Sequence, residues 1–369
     1  MAAHSFSKKD SAALKGIAIL LLVFYHCFSS PDSYEMYRIS YFPFPQNVVT
    51  EIVRYCKVCV CIFAFISGYG LYQSWFSLKE HHPGQITRWI FTRILKTLSG
   101  FWFVAAGCFI MNQVLLGLSF KIYFSDGILP GLIYLLLEAL GFAPLFGTPT
   151  LTAVWWYMGA ASVFIILLPI LSEVLEKYGA IPLLLVMIAL PRILGTGYPG
   201  SRNPLTFLVI FVLGMCFSRY SLFEKLDRIR ILSNEKADQF LQFFLGILLL
   251  LFTFRVYMVL PWSQLWEISF GLCPLVLICF CRKYIVIIPG LQKLLMFLGR
   301  HSMNIYLIHN VLKNRYLMDV LYHFRHFLLI PLVLLIISLI GSICIEWLKK
   351  ITGYDRFFQA IHRRIMKCL

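Results

Sequence analysis

LKGIAILLLVFYHC, residues 14–27, is apolar enough to lie in lipid, yet it opens with Lys15 and nearly closes with His26. Eleven residues at 100° each bring these two side chains within about 20° of one helical face and about 16 Å apart along the axis. One therefore sits at the mouth of the helix and the other deep along the same stripe. An ionisable group within a span faces the bundle interior or a wet cavity, which makes the aligned pair a functional candidate. The plainer alternative is a lysine that snorkels to the inner interface and a histidine that hydrogen-bonds a neighbouring helix.

The rest of the chain places this helix in a membrane protein. Of 369 residues, 60% are hydrophobic and 14% charged, with a mean hydropathy of +0.79, well outside the range of a soluble domain. The formal charge of +16 does not point to nucleic acid, because the basic residues fall in short clusters between apolar runs. The expected partner of the surface is the bilayer, and no nucleic-acid partner is expected. The first apolar stretch carries polar groups and no small-residue cleavage site after it, so it is read as a retained helix. Most of the eleven cysteines lie within apolar runs and are expected as buried thiols.

With about 20 apolar residues per span, the chain reads as an all-α polytopic protein of ten transmembrane helices, near 12–29, 51–75, 92–115, 153–174, 180–195, 204–218, 238–257, 266–281, 301–318 and 327–348. The stretch 128–146 is broken by Pro130 and Pro144 and carries Glu138; it is expected to be a short or re-entrant helix in a long loop. With the N-terminus inside, the inner segments hold 23 of the 33 lysines and arginines, so both termini are expected to be cytoplasmic. Residues 1–369 form a single membrane domain on this reading, with a core at 12–348 and a basic tail at 349–369. The pair His81-His82 is expected in a solvated loop.

Four further stretches hold polar groups that lipid does not favour. FAFISGYGLYQSW (63–75) brings Ser67, Gly68, Tyr69 and Gly70 into the second span, and RWIFTRILKTL (88–98) sets Arg88, Arg93 and Lys96 where the chain re-enters the membrane. TAVWWYM (152–158) opens a span with aromatic rings, and FLGRHSMNIYLIHNVL (297–312) packs His301, Asn304, Tyr306 and His309 into another. Cys56, Cys59 and Cys61 have partial metal-ligand spacing, but one span cannot supply four ligands, so no metal site is expected.

Taken in order, these motifs resemble the acyltransferase-3 family of integral membrane acyltransferases. Lys15 and His26 match its first-span pattern of a basic residue, ten residues and a histidine, and Phe63, Phe65, Ser67 and Gly68 match its phenylalanine-rich Ser-Gly ending. Arg93-x-x-Lys96 is similar to its Arg-x-x-Arg motif. Trp155-Trp156-Tyr157 and the set Gly299, Ser302, Tyr306, Leu307 and His309 are similar to its later motifs. The resemblance spans residues 12–348. Two departures stand out: Cys61 occupies the place of an aspartate that many members carry, and Lys96 replaces an arginine, which loses bidentate phosphate geometry. The soluble SGNH-type esterase domain fused to some members has no counterpart here.

The resemblance implies transfer of a short acyl group, most often acetyl, from cytoplasmic acyl-CoA to a hydroxyl of a carbohydrate or other cell-envelope acceptor. It also implies residence in a bacterial cytoplasmic membrane, with acetyl-CoA as donor substrate and no permanently bound cofactor. On this reading Lys15, Arg88, Arg93 and Lys96 meet the donor phosphates at the inner mouth. His26 takes the acceptor proton, or less directly carries the acyl group. Tyr25, Ser67, Tyr69, Asn304 or His309 supplies a hydrogen bond to the reacting oxygen or positions the histidine. Glu267 is the candidate to orient the imidazole in place of the missing aspartate. The rival reading is a transporter or flippase of an envelope glycan, which intramembrane histidines in a cationic cavity also suit. The outer-loop rings Tyr37, Tyr41, Phe42 and Phe44 fit either sugar stacking or an interface belt.

Overall fold

Backbone in lipid must satisfy its own hydrogen bonds, which an uninterrupted helix does. The computed structural model describes residues 6–78, 83–195, 200 and 202–368; among them there is no strand, only one isolated bridge between Ser40 and His326. The pair His81-His82 lies outside the described residues.

The first half of the chain forms α1 (Lys8–Phe28), α2 (Gln46–Tyr55), α3 (Cys59–Phe76), α4 (Pro83–Leu116), α5 (Ser119–Phe124), α6 (Ile128–Ala139), α7 (Ala143–Phe146), α8 (Trp156–Tyr178) and α9 (Ala180–Ile193). The second half forms α10 (Leu208–Arg219), α11 (Leu222–Arg228), α12 (Glu235–Val259), α13 (Trp262–Glu267), α14 (Cys273–Phe280), α15 (Pro289–Arg315), α16 (Met318–Tyr322), α17 (Leu329–Ile351) and α18 (Tyr354–Cys368). Ser7 starts α1 with a capping box: its hydroxyl accepts from the Asp10 amide while the Asp10 carboxylate accepts from the Ser7 amide.

Among the described residues, six helical runs are long and apolar enough to cross a membrane: Lys8–Phe28, Gly84–Leu116, Ala153–Tyr178, Glu235–Val259, Gln264–Ile285 and Leu329–Ile351. A pair bent by 69°, Pro204–Arg219 with Leu222–Arg228, makes a seventh if counted as one span. This is fewer than the ten read from hydropathy, for identifiable reasons. The stretch 51–75 is divided by a 3-10 turn at Cys56–Val58. The stretch 180–195 yields only the 14 residues of α9, about 21 Å against a hydrocarbon core of about 30 Å. The stretch 301–318 is the far half of α15, where His, Asn, Lys and Arg dilute the apolar residues. The 12-residue α6 is a short helix of about 18 Å, as the breakers around it predict.

Two backbone-on-backbone crossings build the centre. A Cβ on Gly16 would stand 2.1 Å from the Leu295 carbonyl oxygen, and one on Gly299 would stand 1.8 Å from that of Ala12. Glycine at both places is what lets α1 lie directly on α15. Gly68 and Gly214 do the same for α3 and α10, with the Phe211 and Phe65 carbonyls at 2.0 and 2.2 Å from the virtual Cβ atoms.

These contacts also set directions. Gly16 meets Leu295 near one end of the crossing and His26 meets His309 near the other, so α1 and α15 run the same way. Ile308 lies against Gly341 and Asn304 bonds Glu346, so α17 runs back. The start of α1 and the end of α17 therefore share one end of the bundle. The basic tail continues there as α18, docked on α4 by the Tyr354 hydroxyl donating to the Ser99 carbonyl at 2.7 Å and by its ring against Phe103 at 4.8 Å.

Candidate active site

The stripe read from α1 opens onto two cavities. Lys15 lines one of about 440 Å³ toward the start of the helix, and Ser29 and Ser33 line another of about 880 Å³ beyond its end. His26 lines both, as do Val60, Val154 and Trp156. The imidazole therefore stands in the wall between two chambers, which in the sequence is only a histidine eleven residues after a lysine.

The smaller cavity, inner in the sense that it lies toward the start of α1 as the outer one lies beyond its end, is mostly apolar, with Leu22, Phe63, Ile66 and Ile165 in its walls, and its lining cations are Lys15 and Arg93. Arg93 is held in place from two sides. Its guanidinium donates to the Ser74 hydroxyl and lies 5.6 Å from the centroid of the Trp89 ring. Ser67 and Tyr157 face the same space.

The outer cavity has a different chemistry. Lys57, Arg202, Lys313 and Arg315 line it together with Tyr25 and Asn310, and none of the described residues in its lining is an aspartate or glutamate. Lys313 is 6% exposed and donates from Nζ to the His26 carbonyl at 2.7 Å. It thereby caps a carbonyl in the last turn of α1, where the helix dipole favours a cation.

His26 is flanked by two rings, Tyr25 and His309, each 5.1 Å away between centroids. His309 is completely buried, and its Nδ1 lies 3.0 Å from the Ile305 carbonyl and 2.8 Å from that of Tyr306. Carbonyls only accept, so Nδ1 carries the proton of the neutral ring, and Nε2, which has no partner among the described residues, is left with its lone pair. The start of α8 is fastened to the same stretch of α15. The Trp155 indole donates to the Leu307 carbonyl at 2.8 Å, the Tyr306 hydroxyl donates to the Val154 carbonyl, and Asn310 donates to Thr152 at 2.8 Å.

Other expected residues lie elsewhere. Glu267, proposed to orient His26, is engaged by Arg192, whose guanidinium donates to both of its carboxylate oxygens and lies 4.2 Å from the Trp266 ring. Tyr69 is buried between Phe6 and Phe223 and lines neither cavity. Asn304 donates to Glu346 on α17 at 2.7 Å, and His301 pairs with Ser342 at 2.8 Å. Neither Arg88 nor Lys96 reaches a cavity wall. Tyr37 stacks on Tyr322 at 5.3 Å, and Tyr41 and Phe44 pack on Phe327, so these rings tie down the loop between α1 and α2 and line neither cavity. Among the described residues no group of three His, Cys, Asp or Glu side chains is placed to hold a metal ion.

A family model described as an acyltransferase domain matches residues 10–348. The chain belongs to the acyltransferase-3 family. No curated protein and no solved structure matches it. As a member of this family the chain is a multi-pass membrane acyltransferase, and the matched region takes in every residue lining either cavity. The late motif of this acyltransferase also divides by task. Gly299 admits α1, Ser302 and Tyr306 line the inner cavity, Leu307 receives Trp155, and His309 stands beside His26.

Proposed function

We propose that this acyltransferase moves a short acyl group, acetyl in the first instance, from cytoplasmic acyl-CoA in the inner cavity to a hydroxyl of a carbohydrate or other cell-envelope acceptor in the outer one. The observation that carries the reading is the position of His26 in the wall shared by the two cavities. Lys15 and Arg93 meet donor phosphates through charge-assisted hydrogen bonds, and the apolar walls beyond them suit the pantetheine arm. At His26 the acceptor hydroxyl attacks the thioester carbonyl and gives its proton to the imidazole. The new C–O ester bond forms as the C–S bond breaks, and the departing thiolate takes a proton back from the imidazolium. Ser67 and Tyr157, which line the inner cavity, and Tyr25, which lines the outer one, are the groups to serve the developing oxyanion.

On this proposal the end of the bundle holding Lys8 and Lys349 is cytoplasmic, both termini lie inside, and residues 1–369 act as one domain in a bacterial cytoplasmic membrane. The family match supports transfer over transport of a glycan.

The test is turnover of radiolabelled acetyl-CoA by the full chain in nanodiscs with a mixed glycan acceptor. Wild type transfers label, His26→Ala does not, and Lys15→Ala needs more donor. Glycan crossing the membrane with no CoA bound or released would overturn the proposal.

A further inference from the structure

We infer that the acceptor is anionic: a phosphate or carboxylate on the sugar is held by Lys57, Arg202, Lys313 and Arg315 while a neighbouring hydroxyl faces His26. This rests on the proposed assignment of the outer cavity to the acceptor and adds the acceptor's chemical class.

Four cations line one chamber of about 880 Å³, and among the described residues no carboxylate lines it with them. Lys57 and Lys313 are 9% and 6% exposed, so two of the four charges are nearly withdrawn from bulk water. The four come from three parts of the chain, Lys313 and Arg315 sharing α15, and so their convergence is a product of the fold. Like charges gathered in a partly closed, low-dielectric space repel one another and raise the local potential. An anionic ligand relieves that repulsion; an uncharged sugar does not.

The donor's phosphates are a poor explanation for this set. The inner cavity has its own pair, Lys15 and Arg93, and His26 stands between the two groups. A carboxylate behind the outer wall, that of Glu138, is buried, and one of its oxygens accepts from Tyr123, Thr150 and the Leu151 amide. Hydroxyls and amides in the same lining, among them Ser29, Thr152 and Asn310, are left to meet the neutral part of the sugar. Arg202 and Arg315 are planar forks suited to bidentate contact with phosphate or carboxylate.

The experiment uses the full chain in nanodiscs and three hydroxyl-bearing probes: methyl glucoside, methyl glucuronide and glucose 1-phosphate. Calorimetric binding is measured without donor, and acetyl transfer with radiolabelled acetyl-CoA. The charged probes are expected to bind at least about tenfold tighter than the neutral one, the loss of a charge-assisted contact being of that size. An Arg202→Gln/Arg315→Gln double variant, at positions outside the buried core, should erase the preference and leave CoA binding intact. A glucuronide preference identifies a carboxylate acceptor and a phosphate preference a phosphorylated one.

Equal binding of all three probes, or no binding of any, overturns the inference. So does a double variant that loses CoA affinity, which would give the outer cavity to the donor. Failure of the acyltransferase proposal reads differently: charged probes bind with the expected preference, yet no label leaves acetyl-CoA under any condition.

Discussion

The rings of His26 and His309 stand 5.1 Å apart, and the Nδ1 proton of His309 is committed to two backbone carbonyls of its own helix. That leaves the unpartnered Nε2 of His309 as a fixed acceptor beside the residue proposed to move a proton. Among the described residues no aspartate or glutamate lines either cavity beside His26. His309→Phe should therefore lower kcat about 10- to 100-fold, within the usual range for general acid–base support, with the KM for acetyl-CoA unchanged. Steady-state kinetics separates the two constants, and a change confined to KM would count against the arrangement.

Lys15 and Arg93 are the cations that reach the inner cavity, whereas Arg88 and Lys96 do not. Lys15→Ala and Arg93→Ala are each expected to raise the donor KM about tenfold, the worth of a charge-assisted hydrogen bond to phosphate. Arg88→Ala and Lys96→Ala should stay within about twofold, because neither side chain lines the cavity proposed for the donor. Arg93→Lys should behave like the alanine variant, because a lysine keeps the charge but not the stacked fork over Trp89. Donor titrations at two salt concentrations check all of these.

How far the site could be read from the sequence depended on whether its residues share one helix. Lys15 and His26 do, so spacing alone aligned them. Ser67 and Tyr69 also share a helix, but two residues turn 200°, and while Ser67 faces the inner cavity Tyr69 points into the Phe6 and Phe223 cluster. Ser302 and Asn304 divide in the same way, the second meeting Glu346 of α17. The outer cations were beyond reach, because Lys57, Arg202 and Lys313 are brought together only by tertiary packing. The span count fell from ten because hydropathy registers apolar runs and is blind to a 3-10 break such as Cys56–Val58.

Glu267 illustrates a partner that sequence spacing hides. Its carboxylate is 9% exposed and paired with an Arg192 side chain that is 40% exposed, a setting in which an ion pair contributes about 1 kcal/mol or less. Glu267→Gln should lower the melting temperature by a few degrees at most, on the order of what such a loss implies, and keep transfer within about twofold. A variant that melts normally but has lost transfer would restore the orienting role.

Glu138 makes stability depend on pH. It lies on α6, too short to span, and burial pushes its carboxyl up to about 7 from an ordinary 4.5 despite the hydrogen bonds it accepts. A carboxyl raised in the folded state stabilises fully below the unfolded value and loses that contribution as pH climbs through the folded one. Thermal unfolding should therefore fall between about pH 5 and 8, by on the order of 1 to 3 kcal/mol. Glu138→Gln should flatten that fall, since an amide has no proton to lose. The outer cavity wall at Thr150 and Leu151 hangs on this carboxyl, so acceptor affinity should decline over the same range.

The last prediction concerns the crossing that brings the two histidines together. At Gly16 and Gly299 even a methyl group would have to occupy space within 2.1 and 1.8 Å of a facing carbonyl oxygen. Backbone cannot yield as a side chain does, so either substitution forces α1 away from α15 along its length. Overpacking of this kind costs typically about 1–3 kcal/mol, occasionally more. Both Gly16→Ala and Gly299→Ala should thus lower the melting temperature, and both should widen the gap between residues 26 and 309. Spin labels on cysteines placed at the exposed ends of the two helices would report that widening. Full transfer activity in Gly299→Ala at an unchanged melting temperature would show that the close crossing does not hold the site together.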